Sequence, residues 1–294
     1  MADTAQRSGD TVDAAIIPAD TPQRSGDTVD AAIIPADTAG AQISKENEED
    51  MHRYKTDFPC VGICVIFNNE NFKRSTGMGC RLGTDVDAAA LEKTFKELGY
   101  KVIMHKDLTE LEMKQEMVKV AKEDHSQNAS FVCVILSHGK EDKIYGTDDY
   151  IELDKLTRCF KGDRCKSLRE KPKLFFIQAC RGIKRDPGVV RPNQDGVDAF
   201  SVNELTTVPV EADCLYAYAT AKGYYAWRND SEGSWFIQSL CEMIKKYRDL
   251  ELMHILTRVN RRVAYHFQAS VGNNKEIPCI TSLLTKEFYF PKST

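Results

Sequence analysis

The sequence has no long apolar run. Its uninterrupted apolar stretches, such as 131–136, have the length of a strand, whereas about 18 apolar residues are needed to cross a bilayer. We therefore expect no membrane-spanning segment. Residues 1–7 also lack the basic start and the apolar stretch of a secretory signal, so we expect a cytoplasmic protein.

An excess of positive charge is also missing. The chain of 294 residues has 40 Lys plus Arg against 44 Asp plus Glu, a formal net charge of −4, which disfavours a nucleic-acid-binding protein. The 10 cysteines include no Cys-x-x-Cys pair. Without a secretory signal, this pattern favours reduced thiols over a disulfide framework or a zinc site. We expect neither a metal nor an organic cofactor.

A duplicated polar segment stands at the start of the chain. Residues 2–18 and 19–35 are the same seventeen-residue sequence with one difference. The segment is too polar to form a core, and a solenoid would need at least three units of larger size. We therefore predict a disordered tail over 1–50, followed by a folded body that begins near Met51.

Apolar runs of strand length recur through the folded body. Several are continuous, as is typical of strands buried on both faces of a sheet. The predicted strands are 61–67, 101–104, 131–136, 173–177, 214–218 and 280–290.

Amphipathic helices are predicted between these strands. Thr84 or Asp85 can cap a helix that ends near Gly99, and Thr109 with Glu112 forms a capping box for the next. Further helical patterns cover 234–247 and 252–263. Alternating strands and helices predict an α/β three-layer sandwich, with a mostly parallel six-stranded central sheet and helices on both faces.

Two reactive side chains directly follow predicted strands. His138 follows 131–136, and Cys180 follows 173–177, and the carboxyl ends of such strands form the ligand-binding edge of an open α/β sheet. An imidazole can take the proton of a thiol and later protonate a leaving amine. Backbone N–H groups of Gly139 and Cys180 could form an oxyanion hole. We therefore predict a Cys–His catalytic pair. The alternative for each residue alone is a packed cysteine and a surface histidine.

The sequence Gln178-Ala179-Cys180-Arg181-Gly182, with His138 upstream, resembles the caspase signature. The resemblance to the executioner caspases extends over about 54–290. Its other matching segments are 137–139, 223–229, 233–235 and 284–286.

This resemblance implies a cysteine endopeptidase that cuts protein substrates after aspartate, with an Asp-x-x-Asp preference, in the execution phase of apoptosis. It also implies a prodomain over 1–50, a large catalytic subunit over 51–198 and a small one over 199–294. Two large and two small subunits would form the processed enzyme, a homodimer of the cleaved chain. An upstream caspase would activate it.

The same resemblance implies a set of substrate-binding residues. Two arginines would hold the substrate aspartate, and a guanidinium can bind a carboxylate through two hydrogen bonds. Apart from the resemblance, the simpler interpretation is two solvated surface arginines. The loop 268–274 is shorter than in related caspases, which leaves the outer-pocket preference open. The residues implied are Arg81, Gln178 and Arg228 for the aspartate, Tyr225 and Trp227 for the neighbouring pocket, and Asn229 and Trp235 for the outer pocket.

The chain contains its own candidate cleavage sites. The pattern Asp-x-Val-Asp-Ala occurs three times, with its second aspartate at Asp13, Asp30 and Asp198. We predict self-processing at these sites and activation of a zymogen by the cut after Asp198. A similar segment ending at Asp87 has Thr84 at its upstream position and stands at a predicted helix start, so we predict that it stays intact.

Two other functions are compatible with parts of the sequence. A catalytically silent, caspase-like regulatory binding protein would be expected to lack the thiol or the imidazole, yet Cys180 and His138 are both present. A related Cys–His hydrolase selective for basic residues would need an acidic pocket, whereas Arg81 and Arg228 predict a basic one.

Overall fold

The computed structural model of the protein describes residues 51–186, 209–270 and 272–291. All six predicted strands lie within these ranges. The duplicated tail and the segment around Asp198 lie outside the described residues, and so do the three predicted cleavage sites.

The central sheet has six strands in the order β11-β8-β7-β3-β1-β2. Neighbouring strands run parallel except for the edge pair β11 and β8, which is antiparallel. The mostly parallel six-stranded sheet is therefore confirmed. Its strands are β1 (Cys60–Asn68), β2 (Lys101–Lys106), β3 (Asn128–Leu136), β7 (Lys173–Gln178), β8 (Cys214–Tyr218) and β11 (Cys279–Ser282).

Two small sheets accompany the central one. The first, in the order β4-β5-β6, follows β3, and the second is the hairpin of β9 and β10. No apolar pattern predicted either of them. Their strands are β4 (Gly139–Lys140), β5 (Lys143–Tyr145), β6 (Tyr150–Glu152), β9 (Arg228–Asn229) and β10 (Gly233–Ser234).

The helices surround the central sheet. Within the described ranges, no helix is long and apolar enough to cross a membrane. The α-helices are α1 (Thr84–Glu97), α2 (Glu110–Ala121), α3 (Leu153–Thr157), α4 (Trp235–Lys246) and α5 (Leu252–His266), and short 3-10 helices cover Arg74–Thr76, Arg158–Phe160 and Lys166–Leu168.

Side chains of the central strands alternate between two buried clusters. In β1, Cys64 and Ile66 pack in the cluster that contains residues of α1, α4 and α5. Val65 and Phe67 point to the other face, into the cluster that contains residues of α2 and α3. Burial on both faces explains the continuous apolar runs in the sequence, and the three-layer sandwich is confirmed.

The start of α1 differs from the prediction. Gly83, with φ of 83°, occupies the cap position and makes no side-chain cap, and Thr84 is the first helical residue. The Thr84 hydroxyl accepts a hydrogen bond from Arg81 and donates one to Asn68. The prediction that Thr84 or Asp85 caps this helix is therefore wrong, because the threonine hydroxyl binds the loop in front of the helix.

The last strand is shorter than predicted. β11 ends at Ser282, whose hydroxyl accepts a hydrogen bond from the Leu284 amide. The Thr285 amide then donates to the hydroxyl of Tyr54 instead of a strand. Phe288 and Phe290 follow and are buried in the core. Buried apolar residues thus continue to residue 290, although the pairing with β8 ends before it.

Candidate active site

The loops after β3 and β7 meet at the carboxyl edge of the sheet. The Ser137 amide donates to the carbonyl of Gln178 over 3.2 Å. A β-carbon on Gly139 would lie 2.7 Å from the carbonyl oxygen of Cys180, so only glycine fits there without a shift of backbone. The structure thus brings together the two predicted catalytic loops.

His138 is held through one ring nitrogen. Its Nε2 lies 2.8 Å from the carbonyl oxygen of Gly79, and the Phe72 ring packs against it at a centroid distance of 4.7 Å. Because a carbonyl can only accept, Nε2 carries the proton and Nδ1 is the basic nitrogen. Burial lowers the pKa of His138, and the charges of Arg81 and Arg228 act in the same direction. The imidazole is therefore neutral at pH 7 and able to take a proton.

Cys180 is half-buried, and a backbone segment covers its thiol. The Ala226 amide donates to Sγ over 3.5 Å, and Sγ donates to the Ala226 carbonyl over 3.9 Å. Burial raises the pKa of Cys180, against smaller lowering effects of the Ala226 contact and of Arg81. The thiol is therefore protonated at neutral pH in this arrangement, so a base is needed to activate it.

Arg81 is a buried cation, with a relative exposure of 1%. Its Nη1 donates to the carbonyl of Asn69 over 3.0 Å and to the hydroxyl of Thr84 over 2.7 Å. Burial, and next the charge of Arg228, lower the pKa of Arg81 to about 9. The guanidinium is thus charged at pH 7, and its partners there are neutral oxygens. The surface interpretation of this arginine is wrong.

Arg228 lies close enough to Arg81 for its charge to lower the pKa of Arg81. Its Nε donates to the carbonyl of Leu82 over 2.7 Å, and its side chain is partly exposed. Gly83 allows this approach, because a β-carbon there would lie 2.4 Å from the Asn229 carbonyl. Among the described residues, neither arginine forms an ion pair with a carboxylate. Two neighbouring positive charges that no carboxylate of the described ranges contacts favour an anionic ligand.

Gln178 stands at the end of β7 and is buried. Its Oε1 has no hydrogen-bond partner among the described residues. A buried unpartnered amide oxygen costs free energy unless a ligand or water pairs with it. Gln178 is therefore a candidate to bind a ligand, as the sequence predicts.

The predicted aromatic residues form one row. Tyr225 contacts Trp227 edge to face at 5.2 Å, Trp227 stacks on Trp235 at 5.7 Å, and Trp235 stacks on Phe267 at 5.5 Å. Trp235 is the first residue of α4, next to its cap Ser234. The structure brings these residues together, and it adds Phe267, which sequence reasoning missed.

A groove of about 430 Å³ lies beside this aromatic row. Asn229, Trp235 and Phe267 line it, which agrees with an outer pocket formed by the first two. The Asn229 side-chain oxygen is already used, since it accepts from the Ser231 amide over 2.8 Å and from the Glu232 amide over 3.0 Å. Asn229 therefore shapes the turn between β9 and β10 as well as the groove.

Asp87 is a second residue beside the site that the sequence pattern does not reveal, since the pattern indicates only a motif that resembles a cleavage site. It is fully buried in the first turn of α1. Its carboxylate accepts from the Ser234 amide over 2.9 Å and from Gln238 over 2.7 Å. Asp87 thus ties α1, next to Arg81, to the start of α4, next to Trp235.

No group of side chains in the described ranges could hold a metal ion.

Glu276 is a further buried carboxyl near the site, and it too was missed because it stands in a polar stretch without periodicity. The thiol of Cys180, the neutral imidazole of His138 and the two arginines together suit acyl transfer from a substrate that has a carboxylate near the bond to be cut.

Comparison with known proteins agrees with this chemistry. A family model described as "Caspase domain" matches residues 61–289. Caspase-3 of Oryctolagus cuniculus is 56% identical over 243 residues, which cover 81% of this chain and 86% of that protein. Caspase-3 of Mus musculus is also 56% identical over the same shares, and caspase-3 of Bos taurus is 54% identical over 81% of this chain and 87% of its own.

The chain belongs to the caspase family. It is a cysteine endopeptidase that acts on protein substrates, and its likeness to mammalian caspase-3 identifies it as an executioner caspase of apoptosis. Nothing in the site favours the catalytically silent alternative, since both the thiol of Cys180 and the imidazole of His138 are present.

Proposed function

We propose that this caspase cuts after aspartate with Cys180 as nucleophile, His138 as general base and acid, and an oxyanion hole made by the amides of Gly139 and Cys180. Arg81, Gln178 and Arg228 bind the carboxylate of the substrate aspartate. The observation that carries this proposal is a pair of neighbouring arginines that form no ion pair with a carboxylate in the described part of the chain. A substrate carboxylate supplies the missing charge, and bidentate pairing fixes its orientation.

The catalytic steps follow from the properties of these groups. His138 Nδ1 takes the proton of the Cys180 thiol, and the thiolate attacks the backbone carbonyl carbon of the substrate aspartate. The two amides stabilise the oxyanion. The imidazolium then protonates the leaving amine, which gives an acyl-enzyme that water hydrolyses with His138 again as base.

The outer part of the substrate would bind along the aromatic row. Tyr225 and Trp227 contact the residue before the aspartate. Asn229 and Trp235 contact the residue three positions before the aspartate, which gives the Asp-x-x-Asp preference. The groove of about 430 Å³ beside Trp235 supports this placement.

Self-processing belongs to the same proposal. Cuts after Asp13 and Asp30 would remove the prodomain, and the cut after Asp198 would separate a large subunit, 51–198, from a small one, 199–294. His138 and Cys180 would then be on the large subunit and Arg228 on the small one. We further propose a cytoplasmic zymogen that an upstream caspase activates, and a processed homodimer of two large and two small subunits.

Intact mass spectrometry of the purified full chain tests these proposals together. Wild type should yield fragments that end at Asp13, Asp30 and Asp198, whereas Cys180→Ala should remain intact. An Asp198→Ala variant should keep the two subunits joined and show little activity on a fluorogenic Asp-x-x-Asp peptide. Full activity of an uncut Asp198→Ala chain would overturn the activation step.

Asp87 supplies an internal control in the same spectra. It precedes Ala88, as the other sites precede alanine, but it is buried in α1. Proteolysis needs an exposed, flexible segment, so no fragment should end at Asp87. If wild type stays intact, an active caspase is added. A zymogen would be cut and activated by it. A chain that stays inactive after this treatment would contradict the proposal.

A further inference from the structure

Glu276 carries a buried carboxyl group for which the reaction has no use. The side chain is 2% exposed. Its Oε2 accepts a hydrogen bond from the Trp227 amide over 2.5 Å, while its Oε1 has no partner in the described part of the chain. Burying a carboxyl group costs free energy of desolvation. We therefore expect a contact of Glu276 to offset this cost.

The amide that Glu276 binds belongs to a segment with two tasks. Residues 226–228, called here the cover segment, place the Ala226 backbone against the Cys180 thiol. They also carry Arg228, whose Nε reaches the Leu82 carbonyl. The Trp227 amide held by Glu276 is in the same peptide unit as the Ala226 carbonyl that accepts from the thiol.

We propose that Glu276 is a positioning residue that fixes the cover segment through the Trp227 amide. This hydrogen bond keeps the Ala226 backbone on the Cys180 thiol and holds Arg228 at the substrate pocket. Loss of the bond frees the segment, which exposes the thiol and lets the arginine leave its place.

The surroundings of Glu276 agree with a role as a neutral acceptor. Burial raises the pKa of this carboxyl, and the charge of Asp87 on α1 acts in the same direction. The Cys180 thiol is another titratable group close to it. The neighbouring Lys275 points elsewhere, since its Nζ donates to the Phe267 carbonyl over 2.7 Å. An uncharged side chain with a carbonyl acceptor should therefore replace Glu276 well.

Two substitutions separate the hydrogen bond from the volume of the side chain. Glu276→Gln keeps an acceptor of the same length for the Trp227 amide. Glu276→Leu replaces the carboxylate by an apolar side chain of similar size and leaves that amide without a partner. The difference between these two variants measures the hydrogen bond itself.

Alkylation of Cys180 by iodoacetamide in the full chain gives the first measurement. Peptide mass spectrometry follows each thiol, and the exposed Cys60 at the opposite edge of the sheet serves as internal reference. Relative to Cys60, the Cys180 thiol of Glu276→Leu should react about tenfold faster than that of wild type, the factor expected for loss of one hydrogen bond. Glu276→Gln should react within about twofold of wild type.

Peptide hydrolysis gives the second measurement and rests on the proposed function. In Glu276→Leu the KM for an Asp-x-x-Asp peptide should rise about tenfold, with a smaller change in kcat, because Arg228 is no longer held at the pocket. Glu276→Gln should restore the KM. The alkylation result does not depend on specificity for aspartate, so a failure of the proposed function would leave it intact.

A structural control removes the effect of stability alone. Tyr100→Phe deletes a buried hydroxyl that lies 2.6 Å from Ser130, at the edge of the sheet away from the site. This variant should lose stability without a change in the Cys180 alkylation rate or in KM. The role of Glu276 would be overturned if Cys180 in Glu276→Leu were alkylated at the wild-type rate. It would also be overturned if the Gln and Leu variants changed this rate equally.

Discussion

Two junctions between a strand and a helix use the same residue type in different ways. At the start of α2, the Thr109 hydroxyl accepts from the Glu112 amide, and the Glu112 carboxylate accepts from the Thr109 amide over 2.8 Å. At the start of α1, the Thr84 hydroxyl instead accepts a hydrogen bond from the Arg81 guanidinium over 2.7 Å. The Thr109 hydroxyl stabilises its own helix, whereas the Thr84 hydroxyl binds an arginine of the proposed substrate pocket.

The acidic residues of the two first turns differ in the same way. Glu112 is exposed and completes the capping box of α2. Asp87 is buried and binds the Ser234 amide in front of α4. Near the active site, polar groups that usually stabilise a helix end are used to hold other parts of the site, and the local helix start is left with Gly83 alone.

The largest effect is expected for Arg81→Lys. A lysine cannot reproduce the planar pair of donors, and burial lowers the pKa of an ammonium group. We expect kcat/KM on an Asp-x-x-Asp peptide to fall about 1000-fold, and the free energy of unfolding to fall by about 2 kcal/mol because the Asn69 and Thr84 acceptors lose a donor.

Arg228→Lys is the matched control, because Arg228 is partly exposed and makes one hydrogen bond to Leu82. Its kcat/KM should fall by a smaller factor, about 10 to 100, with an unchanged free energy of unfolding. Steady-state kinetics and urea denaturation measure both variants. Equal losses of kcat/KM and of unfolding free energy would contradict the distinction between the buried Arg81 and the partly exposed Arg228.

A smaller effect is expected for Thr84→Val, which keeps the shape and removes the hydroxyl. Arg81 then loses one of its two acceptors, so kcat/KM should fall about tenfold. Thr109→Val makes the same change at the start of α2. It should lower the free energy of unfolding by about 1 kcal/mol and leave kcat/KM unchanged. If Thr109→Val lowered activity as much as Thr84→Val, the two junctions would not differ in function.

The pH dependence of stability should have opposite signs at the two first turns. Burial raises the pKa of Asp87, whereas hydrogen bonds from Thr109 lower the pKa of Glu112. The folded state therefore holds the Asp87 proton more tightly than the unfolded state, and holds the Glu112 proton less tightly. As the pH rises from about 4, near the usual pKa of both groups, wild type should lose stability relative to Asp87→Asn.

Over the acidic range the opposite change should occur at Glu112. The stabilisation by its carboxylate is present above the ordinary pKa and is lost as the pH falls through the lowered one. Wild type should therefore lose stability relative to Glu112→Gln on acidification. Urea denaturation between about pH 3 and pH 7 measures both differences, and slopes of the same sign would refute the comparison.

Much of the fold could be predicted because burial on both faces leaves a plain signal. The runs in β1, β3 and β7 are mainly apolar, and their bounds in the structure lie within three residues of the predicted ones. The last strand was predicted too long because Phe288 and Phe290 are apolar without being paired with β8. Periodicity reports burial, and it does not distinguish a strand from a buried irregular segment.

The site could be predicted in part, since His138 and Cys180 directly follow strands of one parallel sheet. Contacts made by backbone groups left no trace in the sequence. Nothing in the residue types indicates that the Gly79 carbonyl would bind His138, or that the Ala226 backbone would lie on Cys180. Glu276 stands among polar residues and is nevertheless buried, because only the folded chain places it under the Trp227 amide.

The burial of Asp87 has a consequence for the population of molecules. The bond between Asp87 and Ala88 lies in α1, so it can be cut only while that helix is open. A protease that cuts after aspartate would therefore leave well-folded copies of itself whole at this bond and degrade copies that have failed to fold. The fraction of molecules cut at this bond would then report how often molecules of the population have unfolded.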